Sequence, residues 1–219
     1  MFNNMIDEMF EYGRDIMNAK RKDPADDLLS AIANAELEGH QLSPEFLDGS
    51  WLLIIFAGND TTRNTLSGAI KLLTENPEQK QKLIDNPELM PNFLQECIRM
   101  ISPVMHMRRT TMCETEVGGQ KMGPGEKVVM WYASGNRDEE IFQNPYDLII
   151  DRPNARNHLS FGFGIHRCVG NRLGELTLRI AWEEILKRFE SIEVVDTPKR
   201  IYSNVTMGYS ELLVKVKRF

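Results

Sequence analysis

A cysteine stands within a run of glycines and aromatic residues, FGFGIHRCVG, at residues 161–170. Cys168 comes just before a long amphipathic pattern, so it is expected close to the N-terminus of a helix. There the helix dipole and the free backbone N–H groups stabilise a thiolate. An electron-rich thiolate suits iron, and behind haem iron it favours cleavage of the O–O bond. A buried and inert cysteine at a loop–helix junction is the alternative interpretation.

The neighbours of this cysteine are suited to the close approach of a flat partner. Gly162, Gly164 and Gly170 allow the backbone to come close to such a partner and to point amides at the sulfur. His166 and Arg167 add hydrogen-bond donors and positive charge. The run as a whole therefore favours a presented sulfur over a buried one.

A second candidate lies in the stretch AGNDTT, residues 57–62, inside a long helical pattern. Gly58 is costly in the middle of a helix. Asp60, Thr61 and Thr62 form helices poorly, because their side chains bond locally to the backbone. We expect these residues to open the helix locally and leave a polar groove for a small ligand or water. A tolerated irregularity is the alternative.

A third candidate is the pair Glu96 and Arg99, which share one helix face at i, i+3 spacing. An exposed pair of this kind would contribute little to stability. A buried pair would instead clamp another segment through the guanidinium fork. The spacing alone leaves both interpretations open.

Helical patterns fill the first half of the chain. A first helix should run to about Lys22, and Pro24 should open a second that ends at Gly39. Ser43 is the expected N-cap of a long third helix that ends near Thr74. Two further helices should follow, each opened by an Asn-Pro pair, at residues 76–77 and 86–87.

After Pro103 the pattern changes to alternation, β-branched residues and glycine turns, which predicts short strands and hairpins. Residues 136–160 are rich in loop formers, and a long amphipathic helix is expected over 169–189. The segments IEVV and ELLVKVKRF resemble strands. The order predicts a mainly α (α+β) fold, with a long central helix and a small β part.

Composition excludes several classes of protein. The 219 residues carry a net charge of −6, which disfavours nucleic acid as a partner. The apolar run WLLIIFAG, residues 51–58, is too short to span a membrane, and the acidic start does not resemble a signal peptide, so a cytoplasmic location is expected. Three cysteines without a close pairing pattern predict neither a disulfide framework nor a zinc site.

The three motifs together resemble the cytochrome P450 monooxygenases. They follow one another in that family's order, at similar separations. The haem-loop pattern is matched by Phe161, Gly164, Cys168 and Gly170; the distal-helix pattern by Ala57, Gly58, Asp60, Thr61 and Thr62; and the Glu-x-x-Arg pattern by Glu96 and Arg99. The resemblance covers essentially all 219 residues. It implies one partial P450 domain, 1–219, from about the family's helix G to the C-terminus, without the N-terminal half.

The resemblance also implies a cofactor, haem b (iron protoporphyrin IX), and a role for each motif. Cys168 would be the axial thiolate of the haem iron, and Phe161 the aromatic residue that shields it. Asp60 and Thr61 would handle protons and dioxygen. Glu96, Arg99 and Arg152 would form a structural cluster. Positions that would contact the haem are Ala57, Gly58, Phe161, Gly162, Gly164, His166, Gly170 and Arg109, with Arg108 as the alternative to Arg109 at a propionate.

The stretches GNDTTRN and HMRRT look most like bacterial P450s that hydroxylate alkanes and fatty acids at the terminal carbon. A group that acts on terpenes and sterol side chains is the alternative. An alkyl substrate would need an apolar pocket. The residues expected to face it are Ile54, Phe56, Ala57, Val104, Met105 and Met207. Ordinary core packing is the other interpretation of each.

The implied reaction uses O2 and electrons from a ferredoxin and a ferredoxin reductase. Arg167, Arg172 and Arg179 would meet an acidic partner on the thiolate side. Two other classes stay open at this point. The chain could bind haem or a lipid without turnover, or it could be a remnant with a purely structural role.

Overall fold

The structure is a computed structural model that describes residues 2–219. The α-helices, in chain order, are α1 (Phe2–Lys22), α2 (Leu28–Ala33), α3 (Pro44–Glu75), α4 (Pro77–Asp85), α5 (Met90–Ile101), α6 (Tyr132–Gly135) and α7 (Asn171–Arg188). The strands are β1 (Glu36–Leu37), β2 (His40–Gln41), β3 (His106–Thr110), β4 (Thr115–Val117), β5 (Gln120–Met122), β6 (Lys127–Trp131), β7 (Phe189–Val194), β8 (Lys199–Arg200), β9 (Tyr209–Glu211) and β10 (Val214–Arg218). The predicted mainly α (α+β) class is confirmed.

The chain forms two compact units, with the boundary inside α3 between Asp60 and Thr61. In the N-terminal unit, α1 packs against the first part of α3. The side chains of Met17, Ala33 and Trp51 are buried together there. Gly13 allows close contact, because a Cβ at this position would lie 2.4 Å from the Trp51 ring. Trp51 Nε1 also donates to the Met9 carbonyl at 3.0 Å, which fixes the ring.

The prediction for the second helix was wrong at both ends. The helix starts at Leu28 and not at Pro24, because the Asp27 carboxylate caps it by accepting from Ser30 N at 2.8 Å. It ends at Ala33, and β1 and β2 then form a hairpin. Gly39 is therefore no helix cap. With Glu38 it forms a two-residue turn in which both φ angles are positive, 53° and 80°, as a tight hairpin requires.

In the C-terminal unit, α5 lies at the centre of the core and contacts α7. The apolar faces of α3, α4, α5 and α7 meet there. Buried members of this core include Ala69, Leu73, Leu83, Phe93, Leu94, Cys97, Ile98, Ile150, Leu178 and Trp182. The Phe93 and Trp182 rings meet edge to face, with centroids 5.2 Å apart.

The strands of the C-terminal unit form antiparallel ribbons, β3 with β6, β4 with β5, β7 with β10 and β8 with β9. The predicted strands after Pro103 and at the tail are therefore present. Thr74 Oγ1 accepts from Val194 N at 3.2 Å and ties β7 to the end of α3. Across residues 2–219, no helix combines the length and the apolar composition needed to cross a membrane.

The expected opening of the long helix at residues 57–62 is not present. All six residues belong to α3, which stays helical from Pro44 to Glu75. Neighbouring turns on either side support these poor helix formers, so local propensity is overridden. Ser43 begins this helix as predicted, since its hydroxyl accepts from Phe46 N at 3.3 Å.

Candidate functional site

The loop before α7 is closed on itself by backbone hydrogen bonds. Cys168 N donates to the Phe161 carbonyl at 2.8 Å, and Arg167 N donates to the Gly164 carbonyl at 3.0 Å. Gly162 and Gly164 have positive φ angles of 67° and 71°, which only glycine adopts without strain. The loop therefore needs glycine at both positions for its own conformation. Cys168 is exposed at its end, three residues before α7 begins.

The same loop exposes large apolar side chains to an unusual degree. Phe163 is 86% exposed, Ile165 96% and Val169 80%. Exposed groups of this size indicate a surface that an apolar partner covers. His166 is also exposed in this loop. An accessible thiol, apolar flanks and a cation are what a haem edge and a propionate require, so the residues present fit this group.

Phe161 is fixed from two sides. Its ring packs against the core of the C-terminal unit and lies 5.3 Å from the ring of His158. Its carbonyl holds the Cys168 amide, as described above. Gly170 is less constrained by the protein, because a Cβ there would meet the Cys168 Sγ at an ordinary 4.0 Å.

Glu96 is the centre of a buried ionic cluster. Arg99 donates from Nε to Glu96 Oε2 and from Nη2 to Oε1, both at 2.8 Å. Arg152 donates from Nε to Glu96 Oε1 at 2.9 Å. Glu96 and Arg99 are fully buried, and the Arg152 side chain is 3% exposed. The pair that the spacing left open is thus the buried, charge-assisted form, and the structure joins Arg152 to it.

The remaining donors of the two arginines hold an irregular stretch of chain. Arg99 Nη1 donates to the carbonyls of Asn136, at 2.7 Å, and Pro145, at 2.8 Å. Arg152 Nη2 donates to the carbonyls of Asn144 and Asp147. A buried arginine is costly unless its donors are satisfied, and here the loop carbonyls satisfy them. The cluster therefore fixes the loop-rich segment to α5.

A second buried polar network was missed by the sequence analysis. Asn136 is fully buried, and its Nδ2 donates to Ser102 Oγ and to Ser160 Oγ, each at 2.8 Å. Its Oδ1 accepts from Leu159 N at 2.6 Å. Ser160 Oγ in turn donates to the Ile98 carbonyl at 2.9 Å. These residues carry no periodic or spacing signal, because their partners lie far away in the sequence.

His158 is another buried residue that the sequence analysis did not select. Its Nε2 lies 3.0 Å from Gln95 Oε1, and its Nδ1 accepts from Ser160 N at 3.2 Å. Burial lowers the pKa of this imidazole to about 4, and the nearby Arg99, Arg156 and Arg167 add to the effect. The ring is therefore neutral near pH 7.

Arg108 and Arg109 are on opposite faces of the β3–β6 ribbon, since successive strand residues alternate. Arg109 is half-buried and donates from Nη1 to the Arg108 carbonyl at 3.0 Å, whereas Arg108 is exposed. The strand thus separates the two candidates for the propionate contact.

The structure brings the predicted substrate-facing residues of the C-terminal unit together. Met105 N donates to the Val205 carbonyl at 2.8 Å, and Met207 N donates to the Pro103 carbonyl at 2.9 Å. Val104 forms an isolated β-bridge with Thr206. Val104, Met105 and Met207 are all half-buried, and these backbone contacts place their two segments side by side.

The other candidates lie on α3. In the N-terminal unit, Ile54, Ala57 and Gly58 share one helix face, and Phe56 and Asp60 share another. Phe56 is 64% exposed, and Ile54 is half-buried. Thr61 is half-buried at the start of the C-terminal unit.

Comparison with known proteins identifies the family. The family model for cytochrome P450 matches residues 1–217, so the chain belongs to this family. Members of the family bind haem b through a cysteine thiolate.

Individual relatives agree with this assignment. The linalool 8-monooxygenase of Pseudomonas putida is 38% identical over 210 residues, which cover 96% of this chain and 52% of the relative. The steroid C26-monooxygenase of Mycolicibacterium smegmatis is 37% identical over 186 residues, 85% of this chain and 46% of the relative. The solved structure of cytochrome P450-153 from Novosphingobium aromaticivorans has a TM-score of 0.89 and 44% identity, over 98% of this chain and 53% of that one. The chain thus spans about half the length of these relatives.

Proposed function

We propose that this chain supplies the haem-thiolate site of a cytochrome P450 monooxygenase, with Cys168 as the axial ligand of the iron. The exposed thiol at the end of the closed glycine loop carries this proposal. Haem bound in this way supplies the activation of O2 that places one oxygen atom in an unactivated C–H bond.

The protein's part begins with the cysteine loop. Cys168 lies three residues before the start of α7, so its sulfur is close to the free backbone N–H groups of the helix N-terminus. The fixed Cys168 amide sets the direction of the side chain. Phe161, Phe163 and Ile165 exclude water from the sulfur once the loop is covered.

Two hydrogen-bond donors are suited to the propionates. His166 lies in the cysteine loop, and Arg109 lies on β3 in the same unit. Each can donate to a carboxylate and so fix the orientation of the haem plane. Ala57 and Gly58 of α3 are proposed as further haem-contacting positions, because residues this small allow the close approach of a flat ring.

Asp60 and Thr61 are proposed to manage protons. An acid and a hydroxyl group at adjacent positions of α3 could take up a proton from water and hold it in turn at the Asp60 carboxylate and at Thr61 Oγ1. The Glu96, Arg99 and Arg152 cluster touches neither substrate nor haem in this proposal. It holds the loop segment that leads to the cysteine.

We propose an aliphatic substrate that is oxidised at a terminal carbon, as in alkanes and fatty acids. The half-buried apolar residues Val104, Met105 and Met207, on two segments that lie side by side, support an apolar ligand. A terpene or sterol side chain is the second candidate, and the names of the linalool and steroid relatives favour it. Turnover with an alkane, a fatty acid, linalool and a sterol, followed by analysis of which carbon is oxidised, separates the two.

Electrons are proposed to come from a ferredoxin and its reductase. Arg156, Arg172 and Arg179 line a cleft of about 210 Å³ in the C-terminal unit, together with Gln95, and they offer positive charge to an acidic protein. Glu175 also lines this cleft and moderates the charge.

The decisive experiment is the carbon monoxide difference spectrum of the reduced, haem-loaded chain. Thiolate ligation gives a Soret band shifted far to the red, and we expect this band for the wild-type chain. Cys168→Ser should abolish it. Cys113→Ser is the matched control, because Cys113 is also exposed but lies outside the loop, and it should leave the band unchanged. A band that survives Cys168→Ser would overturn the assignment. A normal band without product formation would indicate haem binding without turnover.

A further inference from the structure

We propose that His158 is a positioning residue for the cysteine loop, acting through Phe161 on the Cys168 amide. The inference rests on the haem-thiolate function proposed above. It adds a residue outside the three motifs, and it assigns this residue a defined tautomer and a defined path to the sulfur.

The first step of the path joins α5 to the segment before the loop. Gln95 is 3% exposed and accepts at Oε1 from His158 Nε2, at 3.0 Å. The contact crosses 63 positions of sequence and therefore fixes two separate segments to each other. A hydrogen bond between buried side chains is costly to break, because both groups then lack a partner.

The second step fixes the protonation state of the ring. The Ser160 N–H donates to Nδ1, so Nδ1 carries no proton and Nε2 holds the single hydrogen that Gln95 accepts. Only the neutral Nε2–H tautomer satisfies both contacts. The charged groups around the ring are Arg99 and Glu96 of α5, Arg156 of the preceding turn and Arg167 of the cysteine loop, and the three arginines oppose a protonated imidazole.

The third step leads to the sulfur. The His158 ring lies 5.3 Å from the Phe161 ring, and the Phe161 carbonyl accepts the Cys168 N–H at 2.8 Å. Ser160, between them, is bound through its hydroxyl to the Ile98 carbonyl of α5. Loss of the imidazole contacts would therefore release the residues that hold the cysteine amide, without touching haem or substrate.

Two substitutions of His158 distinguish the effect of its hydrogen bonds from the effect of its ring packing. His158→Phe keeps the ring and its contact with Phe161 but removes both hydrogen bonds. His158→Asn keeps an oxygen near the Nδ1 position that can accept from Ser160 N. His40→Phe and His40→Asn are the matched controls, because His40 is exposed in the β1–β2 hairpin.

The first measurement is hydrogen–deuterium exchange of the Cys168 amide in the chain without haem. We expect His158→Phe to speed this exchange about tenfold, the effect of losing one or two net hydrogen bonds. His158→Asn should restore the part of the protection that the Ser160 contact supplies. Gln95→Leu should act in the same direction as His158→Phe, and it tests the path should His158→Phe fold poorly.

The second measurement is the carbon monoxide spectrum of the haem-loaded proteins. We expect His158→Phe to lower the fraction with the red-shifted, thiolate-type band at equal haem content, and His158→Asn to recover part of that fraction. An unchanged exchange rate at Cys168 together with an unchanged spectrum would overturn the inference. A wild-type chain without the thiolate band would instead overturn the proposed function. The exchange rates would still show whether His158 acts through Phe161 on the Cys168 amide.

Discussion

Arg152 Nε lies 2.9 Å from Glu96 Oε1, although the two residues are 56 positions apart and both side chains are buried. The Glu96 carboxylate thus pairs with two guanidinium groups, those of Arg99 and Arg152. The remaining donors of both arginines bind loop carbonyls. Buried charges survive in a protein only when they are paired and hydrogen-bonded. The loop-rich segment is therefore ordered by an ionic centre more than by secondary structure.

Neutralising this centre should destabilise the fold strongly. Glu96→Gln keeps the shape of the side chain but leaves two buried guanidinium groups without a counter-charge. We expect the free energy of unfolding to fall by about 3–5 kcal/mol, measured by denaturant titration. Asp151→Asn is the control, because it breaks the exposed pair with Lys82 next to Arg152 and should cost no more than about 1 kcal/mol. Equal losses for both variants would contradict the buried role of Glu96.

The Asn136 network should also contribute to stability. Asn136→Ala leaves the Leu159 N–H without its acceptor and removes one partner each from Ser102 and Ser160. Each buried group left unsatisfied costs about 1–3 kcal/mol, so we expect a loss of at least about 2 kcal/mol in thermal or denaturant unfolding. Asn204→Ala, at an exposed position, serves as the control. A loss below that of the control would show that water satisfies these groups.

Two helical glycines of the N-terminal unit, Gly13 and Gly49, should respond in opposite directions to alanine. Gly13→Ala would place a Cβ 2.4 Å from the fixed Trp51 ring, and overpacking of this kind costs about 1–3 kcal/mol. Gly49→Ala meets nothing within 4 Å and should stabilise α3 by up to about 1 kcal/mol through helix propensity. Far-UV circular dichroism during thermal unfolding measures both. Stabilisation by Gly13→Ala would show that α1 does not pack closely on Trp51.

Stability should depend on pH through His158. Its pKa is lowered from 6.5 to about 4 in the folded protein, chiefly by burial. Between these values the unfolded chain binds a proton that the folded chain does not, so stability rises with pH. The contribution of His158 to the free energy of unfolding is therefore complete above pH 6.5. As the pH falls towards 4, about 3 kcal/mol of that free energy is lost.

His158→Asn should flatten this part of the pH profile, measured as the free energy of unfolding at several pH values. His40→Asn, at an exposed histidine, should leave the slope unchanged. A wild-type profile that is already flat between pH 4 and 6.5 would contradict the buried neutral imidazole.

The sequence by itself determined the family motifs and most of the elements. The cysteine loop, the Glu-x-x-Arg pair and the Ser43 start of α3 could all be predicted, because each depends on residues a few positions apart. The same local reasoning failed for the second helix. There, the pattern predicted one helix from Pro24 to Gly39. The cap at Asp27 starts the helix later, and the turn at Glu38 and Gly39 forms a hairpin in place of its second half.

Only the tertiary structure decided which polar residues are buried and with what partners. It buried the cluster of Glu96, Arg99 and Arg152 that the family resemblance implied, placed Arg108 and Arg109 on opposite faces of a ribbon, and built the network of Asn136 and His158. The physical reason is that helix periodicity and capping are set within one or two turns. Burial and long-range hydrogen bonds depend instead on which distant segments pack together.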